Sequence, residues 1–98
     1  MTSIANQLRA TVIEFLAGLL TTQEFCARYE AEYNAPDEVE WTSIDEGLVF
    51  QELFDAVVWF SPFPEDRARY KGYIDEPRVE AAAQLAAKRL GLAGVQLR

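Results

Sequence analysis

Apolar positions Ile4, Leu8, Val12, Phe15, Leu16 and Leu19 recur at spacings of three and four, which is one stripe of an amphipathic helix near residues 3–20. Gly18 lies near its end. Thr21 and Glu24 match the capping-box pattern, and Phe25, Tyr29 and Tyr33 at i, i+4, i+8 place a second helix near 22–34. Pro36 disfavours helix in the residue before it, so this helix fades at Asn34 and Ala35, and Asp37 to Trp41 reads as an acidic loop. Ser43 and Glu46 form a second capping box, and Asp45 and Glu46 put negative charge in the first turn, where the helix dipole favours it. A third helix near 44–60 runs through Leu48, Val49, Leu53, Phe54, Val57, Val58 and Phe60. It is apolar over more than one face and is expected to be the most buried. Ser61-Pro62-Phe63-Pro64 ends it. Glu65 to Tyr70 predicts a short turn of helix, and Lys71-Gly72-Tyr73 a connector. Pro77 suits a first helical turn. Val79, Ala82, Ala83, Ala86 and Leu90, with Lys88 and Arg89 in the last turn and Gly91 beyond, give a fourth helix near 76–91. The tail from Leu92 to Arg98 is expected to be frayed or loosely docked.

No segment alternates with the period of two that marks a strand. The predicted fold class is therefore all-α: a compact four-helix, mostly antiparallel bundle, with residues 1–98 as one domain. Half of the 98 residues are hydrophobic, enough for a real core.

The composition removes several kinds of chemistry. There is no histidine and one cysteine, Cys26. A Cys/His zinc site and any mechanism using an imidazole base are excluded, as is an intrachain disulfide. Met1 to Leu20 lacks a basic opening segment, and Asn6, Gln7, Arg9 and Glu14 interrupt its apolar residues. No apolar run approaches the ~20 residues of a membrane span. A cytoplasmic location with no membrane contact is expected. The formal net charge is −7 and uneven: no Lys or Arg lies between Arg28 and Arg67, a stretch holding eleven acids, and from Arg67 onward seven bases face three acids. Such a middle segment repels nucleic acid and attracts a basic partner; the same acids also serve simply to solvate helix faces.

Carboxylates in pairs raise the question of acid–base work. Asp45 with Glu46, and Asp75 with Glu76, sit at expected helix starts, so capping and dipole complementation account for them. Glu52 and Asp55 are i, i+3 and share a helix face, a metal-ligand spacing that no histidine accompanies. Cys26 has no histidine and no run of bases to lower its pKa, and reads as a buried thiol on the second helix. No cofactor or metal is expected. Trp41, Trp59, Phe60, Phe63, Tyr70 and Tyr73 gather in the second half of the chain. Core packing suits Phe60 and Tyr70. Trp59 and Phe63 flank the stop of the third helix, where both core and interface placements are open; beside acids, exposed aromatics suit a protein interface.

The order Gln51-Glu52-Leu53-Phe54-Asp55-Ala56, then Phe60, Pro62, Asp66-Arg67, Tyr70 and Ile74-Asp75-Glu76, resembles the colicin D-type bacteriocin immunity proteins. Leu20 to Phe25 is similar to that family's turn into its second helix, and the similarity spans about Leu19 to Leu90. The resemblance implies a four-helix antiparallel bundle that binds a tRNA-cleaving toxin domain and presents carboxylates to the basic cleft that would hold the RNA. Glu52 and Asp66 fall at acidic positions of the pattern. Arg67 and Tyr70 match as structural residues, Arg67 to pair with a carboxylate and Tyr70 to brace the turn. Where relatives place acids near the end of the third helix this chain has Val58, Ser61 and Phe63.

These readings converge on a non-enzymatic immunity protein, monomeric when free, that occludes the active site of a cognate basic nuclease toxin domain. The surface expected to do so comprises Glu52, Asp55, Trp59, Phe63, Glu65, Asp66, Asp75 and Glu76. The competing reading is an acidic helical interaction or regulatory module unrelated to toxins.

Overall fold

The computed structural model describes residues 4–35, 41 and 43–92. They hold five α-helices: α1 (Ile4–Leu16), α2 (Thr22–Tyr33), α3 (Ile44–Val58), α4 (Pro64–Arg69) and α5 (Glu76–Arg89). The chain is thus all-helical, and no strand occurs among the described residues. None of their helices is long and apolar enough to cross a membrane. Most of the expected acidic loop, from Asp37 to Glu40, and the tail beyond Leu92 lie outside the described residues.

The helix ends follow from local chemistry. α1 stops at Leu16, short of the expected residue 20, because Gly18 takes a positive φ of 83°. Its N–H donates to the Phe15 carbonyl at 3.0 Å and that of Leu19 to Glu14 at 2.9 Å, the pair of bonds that closes a helix on a left-handed residue. The turn carries Leu19 off the helical stripe, so Leu19 is exposed, not core. Both halves of the Thr21–Glu24 capping box are present: the Glu24 N–H donates to Thr21 Oγ1 at 3.1 Å, and the Thr21 N–H to Glu24 Oε1 at 2.8 Å. Ser43 caps α3 by accepting from the Glu46 N–H at 3.1 Å, and Asp75 caps α5 by accepting from Arg78 at 3.2 Å. α3 ends at Val58, not residue 60. Phe60 leaves the helix to form an isolated parallel bridge with Ile74. There the Ile74 N–H reaches Trp59 O at 2.8 Å and the Ser61 N–H reaches Ile74 O at 3.1 Å. That bridge ties the end of α3 to the start of α5 and holds the α4 segment between them as a side loop.

The core lies where α1 packs on α2 and α5, and α3 on α5 and α2. Leu8, Val12, Phe25, Tyr29, Phe50, Val79 and Ala83 are fully buried. Along α5 the small residues Ala83, Ala86 and Ala87 are all buried, so its backbone can lie close to α1 and α3. An aromatic ladder runs through the molecule: Phe15 stacks on Phe25 at 4.2 Å, Tyr33 on Phe54 at 4.2 Å, and Trp41 on Phe50 at 5.2 Å. The buried Tyr29 hydroxyl donates to the Phe50 carbonyl at 2.8 Å, joining α2 to α3. The most buried helix is α1, seven of whose thirteen residues are buried, and not α3. Ile44, Leu48 and Val58 are all exposed, so the second apolar face of α3 is not part of the core.

Candidate functional site

The expected surface residues come from three elements, and their surroundings sort them into two groups. Four have partners within the molecule. Glu52, on the outer side of α3, is ion-paired with Arg89 of α5. Asp66, in the first turn of α4, accepts the Ser61 hydroxyl at 2.8 Å. Ser61 is itself buried, and its carbonyl accepts from Arg67 Nη1 at 2.6 Å. Asp66 therefore shapes the bend between α3 and α4. Asp75 is the α5 cap, and it lines a groove with Glu76, Arg67 and Pro62. Trp59 is half exposed; one face lies over Gly72, where an added Cβ would meet the indole at 3.4 Å, and its edge meets Tyr73 at 5.7 Å.

The others face outward. Asp55 and Glu65 are exposed, and among the described residues neither has an ion-pair partner. Glu76 is exposed in the first turn of α5. Phe63, at the start of α4, is 58% exposed. Asp55 sits four residues before Trp59, and Glu65 two after Phe63, so each aromatic has a free carboxylate within one turn. Asp55 also acts on Tyr33, whose phenol is pushed above its ordinary range by burial first and by the Asp55 charge second.

Two expectations for this region change. Tyr70 is exposed and meets Tyr73 edge-on at 5.8 Å, so it belongs to a surface aromatic group with Trp59, not to the core. Arg67 bonds a backbone carbonyl and not a carboxylate. The cause is the same in both: α4 has no buried residue and stands beside the main helix packing, so Arg67 turns to the Ser61 carbonyl and Tyr70 to Tyr73.

Two further features were missed. Glu46, expected to serve the helix start, is only 7% exposed and receives Arg9 Nη2 of α1 at 2.6 Å. The exposed apolar residues of α3 depart from the expectation that this helix is the most buried. Their signal was present: Ile44, Leu48, Gln51, Asp55 and Val58 fall on one helix face, opposite the buried Val49, Phe50, Leu53 and Val57. Cys26 is buried as expected, and burial pushes its thiol up to about 12, with the Glu30 charge adding to the effect. It is no nucleophile in the folded state.

The assembled features define a small all-helical protein whose exposed surface at the end of α3 mixes free carboxylates with aromatic and aliphatic side chains. Compared with known proteins, the chain matches no family model, no curated protein and no solved structure.

Proposed function

We propose that this chain is an immunity protein that binds and inhibits a basic nuclease toxin domain, acting by occlusion and not by catalysis. The observation that carries the proposal is the exposure, around the end of α3, of Trp59 and Phe63 together with Asp55 and Glu65, carboxylates without an ion-pair partner among the described residues. Aromatic anchors in a charged setting are what a desolvated protein interface needs, and the carboxylates steer a cationic partner toward them. The likeness of residues 51–76 to colicin D-type immunity proteins, and a stretch of eleven acids without a base, support the same reading. In this reading the four longer helices form a mostly antiparallel bundle, and the protein works as a monomer in the cytoplasm. It binds neither nucleic acid nor membrane and needs no cofactor. The committed carboxylates Glu52, Asp66 and Asp75 support the surface, and Asp55, Trp59, Phe63, Glu65 and Glu76 touch the partner.

The test takes the C-terminal domain encoded by the neighbouring gene and measures tRNA cleavage with this protein at one-to-one stoichiometry. Cleavage stops if the proposal holds. Asp55→Lys and Glu65→Lys then restore cleavage while the circular dichroism spectrum is unchanged. A nuclease that cuts on undisturbed rejects the proposal. The alternative, a helical regulatory module, gains support if a non-nuclease neighbour binds the same surface.

A further inference from the structure

We infer that the outward face of α3, from Ile44 to Trp59, is a docking face for a basic amphipathic segment of a partner protein, with apolar anchors at both ends and a cationic side chain between. The inference rests on the reading above only in taking the partner to be a basic protein.

A helix apolar on two sides belongs between two neighbours. Among the described residues α3 packs chiefly on α2 and α5, on the side of Phe50 and Leu53, with Arg9 of α1 on Glu46 and Trp41 over Gly47. On its other side Ile44, Leu48, Gln51, Asp55 and Val58 are all exposed, which is not the polar face of a surface helix. Ile44 is 83% exposed, and Leu48 follows one turn later. Gln51, Glu52 and Asp55 occupy the middle, and Val58 and Trp59 close the far end. Isolated apolar residues on a surface need no cause, but three on one face of one helix, with Trp59 just past its end, do. An apolar groove adjoins this stripe at Glu52: it lies between α3 and α5, over Leu53, Ala82 and Ala86, with the exposed Leu85 as its lip.

Charge selects the occupant. α3 contains four acids and no base. Glu46 and Glu52 are taken by Arg9 and Arg89. Asp55, at the centre of the exposed face, has no ion-pair partner among the described residues. An acidic or neutral partner would bury that carboxylate without compensation, which is costly. A second copy would lay two base-free helices against each other. A partner with a Lys or Arg between two apolar anchors satisfies both the centre and the ends of the stripe.

The test uses the full chain, labelled with ¹⁵N, and three synthetic helical peptides of equal length. The first carries leucines at both ends of one face and arginines between them. The second has the same residues scrambled around the helix, and the third has glutamates in place of the arginines. The first is expected to shift amide signals between residues 44 and 59 and to bind at least about tenfold more tightly than the other two. Leu48→Ser with Asp55→Lys, both at exposed positions, removes that preference and leaves the remaining spectrum intact. Equal binding of the first and scrambled peptides, or shifts confined to other helices, overturns the inference. So do concentration-dependent shifts of these residues in the free chain, which would make a second copy the occupant. Binding of the first peptide on α3 alongside an uninhibited neighbouring nuclease retains the docking face and rejects the immunity function. An inhibited nuclease whose footprint avoids α3 does the reverse.

Discussion

Replacing Arg9 by Met tests whether the ion pair between α1 and α3 holds the fold or merely decorates it. The Glu46 carboxylate is 7% exposed, receives Arg9 Nη2 at 2.6 Å, and sits in the first turn of α3. The Arg9 guanidinium also lies 5.8 Å from the centre of the Phe50 ring. Removing one partner of a fully buried pair costs roughly 3–5 kcal/mol, because the other charge keeps its desolvation without its compensation. Here the arginine is 25% exposed. Water therefore reaches the pair, and the cost falls to about 2–3 kcal/mol. For a domain of this size that is a drop of roughly 10–20 °C in Tm. Arg9→Met with Glu46→Gln removes the buried charge as well, and is expected to recover all but about 1 kcal/mol. Urea unfolding followed by far-ultraviolet circular dichroism on the wild type, both single variants and the double variant closes the cycle. An Arg9→Met loss below about 1 kcal/mol, or a double variant no more stable than Arg9→Met alone, would refute the reasoning.

Three further outcomes are expected. Cys26, with its thiol pushed up to about 12 by burial, stays unlabelled by an aromatic disulfide reagent at pH 8 in the native protein and reacts at once in urea; stoichiometric labelling of the native chain would contradict its burial. Glu24 and Glu14 are both held below the ordinary carboxylate value, Glu24 by the Thr21 backbone N–H and then its hydroxyl, Glu14 chiefly by its hydrogen bond from Arg28. Their stabilisation is present above the unfolded value of 4.5 and is lost as pH falls through the lower folded values. Glu24→Gln therefore destabilises at pH 7 and converges with the wild type in acid, and a pH-independent difference in urea midpoint would count against this account. Tyr29→Phe removes the 2.8 Å bond to the Phe50 carbonyl and costs about 1 kcal/mol, read from chemical denaturation; an unchanged midpoint would mean that this bond between α2 and α3 contributes nothing.

What was legible in the sequence was what depends on residues within about one turn of each other. The Thr21–Glu24 box and the Ser43 and Asp75 caps require only neighbours, so pattern and structure agree on the all-α architecture and on those helix starts, while the short α4 makes a fifth helix and α1 and α3 end earlier than their patterns. What was not legible depends on partners far along the chain. Glu46 meets Arg9 and Glu52 meets Arg89, each across 37 residues, and no local spacing announces either pair. Asp66 was read as a surface acid because its role needs Ser61 to be buried, and that burial follows from the bridge of Phe60 to Ile74. Gly47, an unfavourable residue inside a helix, is explained only by Trp41: an added Cβ would come within 2.8 Å of the indole. For α3, two apolar faces were visible and only one could be assigned, since periodicity states which residues share a face and not whether anything covers it.

The described acids of the base-free stretch fall into paired and unpaired groups. Glu32 is held by Thr11 and Arg28, Glu46 by Arg9 and Glu52 by Arg89, so bases from outside the stretch reach in and neutralise the acids that lie at helix–helix seams. The exposed acids left uncompensated among the described residues include Asp45, Asp55 and Glu65, and these lie next to Ile44, Val58, Trp59 and Phe63 in sequence or within one turn. A surface shaped for solubility alone would separate charge from exposed apolar area and keep that area small. Among the described acids, ion pairs take up Glu32, Glu46 and Glu52, while Asp45, Asp55 and Glu65 lie exposed near large apolar side chains and Glu30 lies exposed on α2. On the proposed function, the cost to the free protein of showing apolar surface to water is offset in the complex with its partner. On that reading net charge draws a cationic partner from a distance, and the aromatic and aliphatic side chains give it contact area once it arrives. Both properties then serve one surface, so the proposal makes a single charge reversal at Asp55 a sharper probe than any change in total charge.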